Sequence, residues 1–98
     1  MIEEKWLLTM LGFAAKARKA VAGESNVEAA LKKGEVELLI VAEDAANKEH
    51  WQRVAAEKNI KIITASKQLE LGLAMGLSPR AIVAVKDRQM KEAILARQ

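Results

Sequence analysis

The spacing of apolar residues predicts a chain in which helices alternate with strands. Over residues 4–17 apolar side chains recur every three or four positions, as in an amphipathic helix: Leu7, Met10, Leu11 and Ala14. Continuous apolar runs predict strands buried on both faces, and a third strand is shorter: 36–42, 81–85 and 60–64. Further helices are expected at 25–33, at 47–58, from Ser66 to Met75 and after Asp87. Residues 18–22 form a link or a minor strand.

Strands separated by helices of this length are typical of the α/β class. We predict a sandwich with strands 36–42, 60–64 and 81–85 at the centre of a small mixed four-stranded sheet and helices on both faces. The 98 residues are enough for one modest core and too few for two. The sequence therefore predicts a single domain over residues 1–98.

Residues 23–34, GESNVEAALKKG, have the pattern of one short helix with marked ends. Ser25 and Glu28 have the spacing of a capping box, in which the serine accepts a backbone N–H and the glutamate reaches back. Gly34 is typical of a helix stop. The other helices are also preceded by residues that can cap them: Asn47, Ser66 and Asp87.

Charge is concentrated around this helix. Residues 14–34 hold five basic and two acidic side chains, a net charge of +3, while the other 77 residues hold 11 of each sign and sum to zero. Clustered lysine and arginine in a small domain favour a polyanionic partner, most often nucleic acid. The alternative is a solvated helix face with no partner.

Catalytic and metal-binding patterns are few. The chain has no cysteine, no phosphate-binding glycine loop and one histidine, His50, beside Glu49 on the polar side of its helix. Glu43 and Asp44 follow a buried strand, where open α/β sheets place ligands. They could hold Mg²⁺ for a small phosphate-handling enzyme, or form a polar strand exit with Asp44 as a cap. We favour the second interpretation and expect no metal, no cofactor and no enzymatic activity.

Other features indicate where the protein works and how it would contact RNA. No apolar run approaches the roughly 20 residues of a membrane span, and the N-terminus is acidic before it is apolar, so we expect a cytoplasmic protein. Trp6 and Trp51 fall on helix stripes and are expected in the core. Base stacking on exposed sheet aromatics is therefore not expected, and binding would use helix termini, backbone and basic side chains.

Several segments in order resemble the ribosomal L-seven-Ae family of kink-turn RNA-binding proteins, and most closely its bacterial YlxQ-like branch. The similarity extends from about Leu7 to Val85. Its specific parts are the alanine–glycine–acid entry at 22–24, the lysine–lysine–glycine exit at 32–34, VAEDA at 41–45, and LGxAxG at 71–76. No one segment is diagnostic, but their order and spacing together are fairly specific.

The resemblance implies a three-layer α-β-α sandwich that binds RNA without catalysis. In the family the start of the second helix enters the groove at a sharply bent stem–internal loop, next to sheared G·A pairs. The loop before the last strand, here residues 76–80, covers an extruded nucleotide. Carried onto this sequence, the implied RNA-binding residues are Lys16, Lys19, Gly23, Glu24, Ser25, Asn26, Lys33, Leu77, Ser78, Pro79 and Arg80.

The chain departs from the family pattern in the first turn of this helix. Stronger binders place Asn-Glu or Lys-Gln where this chain has Ser25-Asn26, and a lysine where it has Ala29. Asn26 can still donate and accept at a base edge. The departure leaves two classes open: a ribosome-associated RNA-binding protein, or a protein-interaction relative with weak or no RNA binding. We expect a monomer, since no unexplained apolar stripe stands out.

Overall fold

The computed structural model describes residues 2–98. Within them the chain forms nine elements in this order: α1 (Glu4–Lys16), β1 (Ala20–Ala22), α2 (Glu24–Lys32), β2 (Leu38–Val41), α3 (Lys48–Lys58), β3 (Lys61–Thr64), α4 (Gln68–Ala74), β4 (Ile82–Val85) and α5 (Arg88–Ala96). The predicted alternation of helices and strands is confirmed, and the link or minor strand at 18–22 contains a true strand.

The sheet is mixed and has the strand order β1-β4-β2-β3. Strand β2 pairs in parallel with β3 and antiparallel with β4, and β4 pairs antiparallel with β1. Every residue of β2 and of β4 is buried. Because successive side chains of a strand point to opposite faces, helices must cover both faces. The predicted α-β-α sandwich with a small mixed four-stranded sheet is confirmed.

The helices supply the outer layers. Helix α1 packs beside α4, and the Arg97 guanidinium at the end of α5 lies 4.1 Å from the centre of the Trp6 ring on α1. Helices α2 and α3 lie side by side, where Leu31 and Trp51 line one groove. Trp51 is buried as predicted, whereas Trp6 is only partly buried: it packs against the core, and the Arg97 guanidinium lies over its ring.

The predicted position of one strand within the sheet is wrong. Residues 60–64 were predicted at the centre of the sheet, but β3 is an edge strand in which only Ile63 is buried. The exposed Lys61 and Thr64 are consistent with this position, because a charge on an edge strand discourages pairing with another chain.

Of the four predicted helix caps, one makes a capping hydrogen bond and three do not. Asp87 caps α5, since its Oδ2 accepts from the N–H of Met90 at 2.9 Å. Asn47 precedes α3 but makes no side-chain capping bond. Ser66 is not the cap of α4, which Lys67 precedes; instead Asp44 Oδ1 accepts from the N–H of Gln68 at 2.9 Å. Asp44 is therefore a cap, but of a helix that begins 24 residues later.

The third error concerns Ser25, because α2 begins two residues earlier than the capping box requires. Its N-cap is Gly23, and no side chain makes a capping bond there. Ser25 lies inside the first turn, so it cannot accept the N–H that an N-cap serine would accept. The pattern Ser-x-x-Glu is present in the sequence, but its register relative to the helix is wrong.

Candidate nucleic-acid interface

The start of α2 is held by a glycine that no other residue could replace without strain. Gly23 has φ 96° and ψ 153°, a backbone region open almost only to glycine. Its N–H donates to the carbonyl oxygen of Ile82 on β4 at 2.9 Å, and its own carbonyl accepts from Val27 at 2.9 Å. These two bonds fix where the helix begins and attach its first turn to the sheet.

The first turn of α2 presents polar groups without a side-chain cap. The first N–H groups of a helix have no partner within the helix, and the helix dipole adds a partial positive charge there. Glu24, Ser25 and Asn26 are all exposed. The Asn26 side-chain nitrogen donates to the Ala22 carbonyl at 3.1 Å, which holds the amide at the helix start and leaves its oxygen as an acceptor. Helices α1 and α3 also lack side-chain caps, so an open start alone does not define a site.

What distinguishes α2 is the loop at residues 76–80, which meets the helix start through Arg80. Arg80 Nη1 donates to the Ser78 hydroxyl at 2.7 Å and to the carbonyls of Ser78 and Pro79 at 3.0 and 3.1 Å. A Cβ built on Gly23 would lie 3.2 Å from Arg80 Nε and 3.3 Å from its Cδ. The guanidinium therefore lies directly against the backbone where α2 begins.

The same loop is anchored to α4. Leu77 donates its N–H to the Gly72 carbonyl at 2.8 Å, and Arg80 donates its N–H to the Gln68 carbonyl at 3.1 Å. Gly72 is buried, and a side chain there would collide with the Ser78 carbonyl group and lie 2.8 Å from Pro79 Cα. The predicted turn of fixed shape around Pro79 is thus held by backbone bonds and by close contact with a glycine.

The structure brings Lys16 to this region as well. Lys16 ends α1 and lines the same groove as Gly76, the first residue of the 76–80 loop. Lys16 therefore meets the first residue of the 76–80 loop, and that loop meets the start of α2 through Arg80, although 60 residues of sequence separate Lys16 from Gly76.

Two predicted residues lie elsewhere. Lys19 stands at the far end of β1 from Gly23, roughly 13 Å away at about 3.3 Å per residue, and its Nζ is 3.8 Å from Asp87 Oδ1. Lys33 follows the last residue of α2, and at about 1.5 Å per residue it lies roughly 13 Å from the helix start. The basic residues that are close together in segment 14–34 of the sequence are therefore not all close to the start of α2 in the structure.

A group of exposed apolar side chains was missed by sequence reasoning. Among residues 2–98 four large apolar side chains are exposed: Phe13, Leu69, Leu73 and Leu77. The sequence showed no unexplained apolar stripe, so these exposed side chains are a finding of the structure, and the expected monomer stays a prediction. A signal was available for Phe13, because it lies outside the helical stripe formed by Leu7, Leu11 and Ala14, the residues of α1 that are buried.

The acidic pair after β2 is occupied by structural contacts. Asp44 caps α4, and Glu43 Oε1 lies 4.0 Å from Lys67 Nζ. Among residues 2–98 there is no group of three or more histidine, cysteine, aspartate or glutamate side chains placed to hold a metal ion. In the same residues no helix has both the length and the apolar character needed to cross a membrane.

The protein is thus a small α/β domain, an α-β-α sandwich in which a helix start and a basic loop meet at one end. Comparison with known proteins gives its family. The chain belongs to the ribosomal protein L7Ae/L30e/S12e/Gadd45 family, whose sequence profile matches residues 6–95. The resemblance to this family found from the sequence motifs is confirmed.

Individual relatives agree with this assignment. The large ribosomal subunit protein eL8 of Picrophilus torridus is 28% identical over 87 residues, which cover 86% of this chain and 68% of that protein. The eL8 of Halobacterium salinarum is 34% identical over 74 residues, which cover 68% of this chain and 62% of that protein. The chain thus spans about two thirds of the length of these curated relatives.

Solved structures show the same fold. A protein of unknown function from Bacillus halodurans has a TM-score of 0.85 and 32% identity, with 96% of each chain covered. A 15.5 kD RNA-binding protein from Giardia lamblia has a TM-score of 0.73 and 21% identity, covering 92% of this chain and 78% of the other. At that identity the second likeness concerns the fold alone.

Proposed function

We propose that this chain is a non-catalytic RNA-binding protein that associates with the ribosome in the cytoplasm and recognises a sharply bent, kink-turn-like stem–internal loop. One observation carries the proposal: Arg80 lies against Gly23, so a basic loop and an uncapped helix start form one continuous surface. Family membership supports it, as does the description of the curated relatives as ribosomal proteins.

Each part of this surface has a distinct task in the proposal. The free N–H groups of the first turn and the Ser25 hydroxyl bind phosphate or sugar oxygens, as helix starts commonly do. The Asn26 amide reads a purine edge at the G·A pairs. Leu77 and Pro79 carry no charge, so they favour an RNA with an exposed nucleotide over a plain duplex, and Arg80 and Lys16 bind phosphate.

Lys19 and Lys33 have no direct contact in this proposal, since each lies roughly 13 Å from the helix start along its element. Glu24 lies in the first turn as well, and its negative charge opposes a phosphate placed directly over it. We therefore place the phosphate on the side of the turn that faces Arg80 and the 76–80 loop.

The substitution Asn26→Ala tests base reading by the helix start. One good base contact is worth about 1–3 kcal/mol of discrimination, so the preference for a G·A-containing kinked stem over a straight duplex should fall at least severalfold. Affinity for the duplex should stay near that of the wild type. The lost bond to the Ala22 carbonyl should reduce the free energy of unfolding by about 1 kcal/mol. Wild type and variant are titrated against both RNAs at one salt concentration, with thermal unfolding alongside.

Ser25→Ala is the matched control, because it removes a neighbouring side chain of the same turn that neither caps the helix nor reads a base. It should weaken binding to both RNAs equally. If Asn26→Ala keeps the full preference, the base-reading role is wrong. If the wild type itself shows no preference for the kinked stem, the proposal fails and the protein-interaction alternative gains support.

A further inference from the structure

A shallow apolar groove runs between α1 and α4, beside the proposed interface. Phe13 and Leu73 are its most exposed apolar residues, with 63% and 66% of their surfaces accessible. The rest of the apolar lining includes Leu8, Met75 and two alanines. The groove has a volume of about 530 Å³. Phe13 is the only phenylalanine of the chain, and it stands on the solvent side of α1 rather than in the core.

The groove is continuous with the surface assigned to RNA. Gly76, which opens the 76–80 loop, forms part of its lining, and so does Lys16. Lys16 is the only charged side chain that lines it within the described part of the chain. An aromatic face, an apolar floor and a single cation therefore lie together directly beside the loop that carries Arg80.

We propose that this groove binds an unpaired nucleotide of the RNA, next to the bent stem, with its base on Phe13 and its phosphate at Lys16. The inference rests on the proposed function, because it is the stem at α2 that would bring single-stranded RNA to the groove. It adds a stacking contact outside the helix start and the 76–80 loop.

The chemistry of the groove favours a nucleotide over a protein. Aromatic side chains beside basic ones are the combination that binds single-stranded nucleic acid, since every base has a face that can stack and every phosphate a charge to neutralise. A stable protein interface buries roughly 800 Å² on each partner, which is far more than a groove bordered by two strongly exposed apolar side chains provides. One base and one phosphate match the aromatic side chain of Phe13 and the positive charge of Lys16 that line the groove.

The experiment compares two RNAs that share the same kinked stem, one blunt and one extended by a few unpaired uridines at each end. Base stacking on an aromatic residue contributes about 1–3 kcal/mol, so the wild type should bind the extended RNA about tenfold more tightly. Phe13→Ala should abolish that advantage and leave affinity for the blunt stem unchanged. Leu69→Ala is the matched control, since Leu69 is an exposed leucine of α4 outside the groove, and it should keep the full advantage.

Phe13→Leu tests stacking separately from apolar contact and covers the case in which Phe13→Ala folds poorly; it should lose most of the advantage. In parallel, 5-iodouridine in the extension should crosslink to Phe13 on irradiation. If the wild type prefers the kinked stem but gains nothing from the extension, this inference fails alone. If the wild type shows no preference for the kinked stem, both proposals fail. Equal losses on both RNAs, or a dimer that Phe13→Ala dissociates, would also overturn it.

Discussion

At the residue scale, two glycines make the proposed interface possible. Gly23 has a backbone conformation that side chains exclude, and the absence of a Cβ lets Arg80 lie against the start of α2. Gly72 allows the 76–80 loop to rest on α4, with Ser78 and Pro79 closer than any side chain would permit. At both positions the missing side chain lets another part of the chain come close to the glycine backbone. Together the two glycines place the 76–80 loop beside the start of α2.

Gly72→Ala should therefore destabilise the protein although alanine is the better helix former. Alanine in a helix interior gains about 0.5–1 kcal/mol over glycine, whereas overpacking against backbone costs about 1–3 kcal/mol. We expect a net decrease in the free energy of unfolding, measured by urea denaturation, and a reduced preference for kinked RNA because the loop must move.

Gly12→Ala on α1 is the control for this change. There the nearest atom to the added methyl is the Ala74 carbonyl oxygen at 3.2 Å, a tight contact without the collision found at Gly72. Its effect on stability should be clearly smaller. A Gly72→Ala variant as stable as the wild type would show that the loop does not depend on this close approach.

At the element scale, the cap of α4 comes from a distant part of the chain. Asp44 Oδ1 accepts from the Gln68 N–H at 2.9 Å, and the Gln68 side chain returns a bond to the Asp44 carbonyl at 3.0 Å. Gln68 also accepts the N–H of Arg80 through its own carbonyl. The exit of β2, the start of α4 and the end of the 76–80 loop are thus connected through Gln68.

Asp44→Ala should reduce both stability and RNA preference. Loss of a helix cap costs about 0.5–2 kcal/mol, and the loosened start of α4 should release the anchor of Arg80. Asp87→Ala removes a comparable cap, that of α5, which has no bond to the 76–80 loop. Thermal unfolding should show similar losses for the two variants, while RNA titration should show a loss for Asp44→Ala only. Equal RNA binding by both would contradict the connection.

The elements themselves were largely predictable, because apolar periodicity determines which segments can be helices or strands. The α2 register was not, because the start of the helix is set by the bond of Gly23 to Ile82 on β4, a partner about 60 residues away. The edge position of β3 and the cap from Asp44 likewise depend on sheet order and tertiary contact. Sequence spacing carries no information about either.

The same limit applies to the candidate site. The motifs identified the 23–26 turn and the 76–80 loop, and their contact through Arg80 supports that choice. Lys19 and Lys33 were grouped with them on the family resemblance, yet a strand carries Lys19 and a helix carries Lys33 away from the helix start. Phe13 was not predicted as a site residue because it lies outside the buried stripe of α1, and apolar periodicity identifies only the buried face of a helix.

At the scale of the whole molecule, the basic residues of segment 14–34 are not gathered at one site. Lys16 borders the groove that Gly76 also lines, whereas Lys33 lies at the far end of α2 from the 23–26 turn. Electrostatic attraction alone would draw RNA to either lysine, since phosphate contacts dominate affinity without specifying position. The surface formed by the 23–26 turn and the 76–80 loop combines charge with an open helix start, an amide and apolar side chains.

The proposed interface is tested most directly by titrating the ¹⁵N-labelled protein with the blunt kinked stem and following the movement of backbone amide resonances. The largest shifts are expected on Lys16, on residues 23–26 and on residues 76–80. Residues 32–34 and Lys19 should move little, and a straight duplex should produce smaller changes throughout. Shifts concentrated at residues 32–34, with the 23–26 turn unmoved, would contradict it.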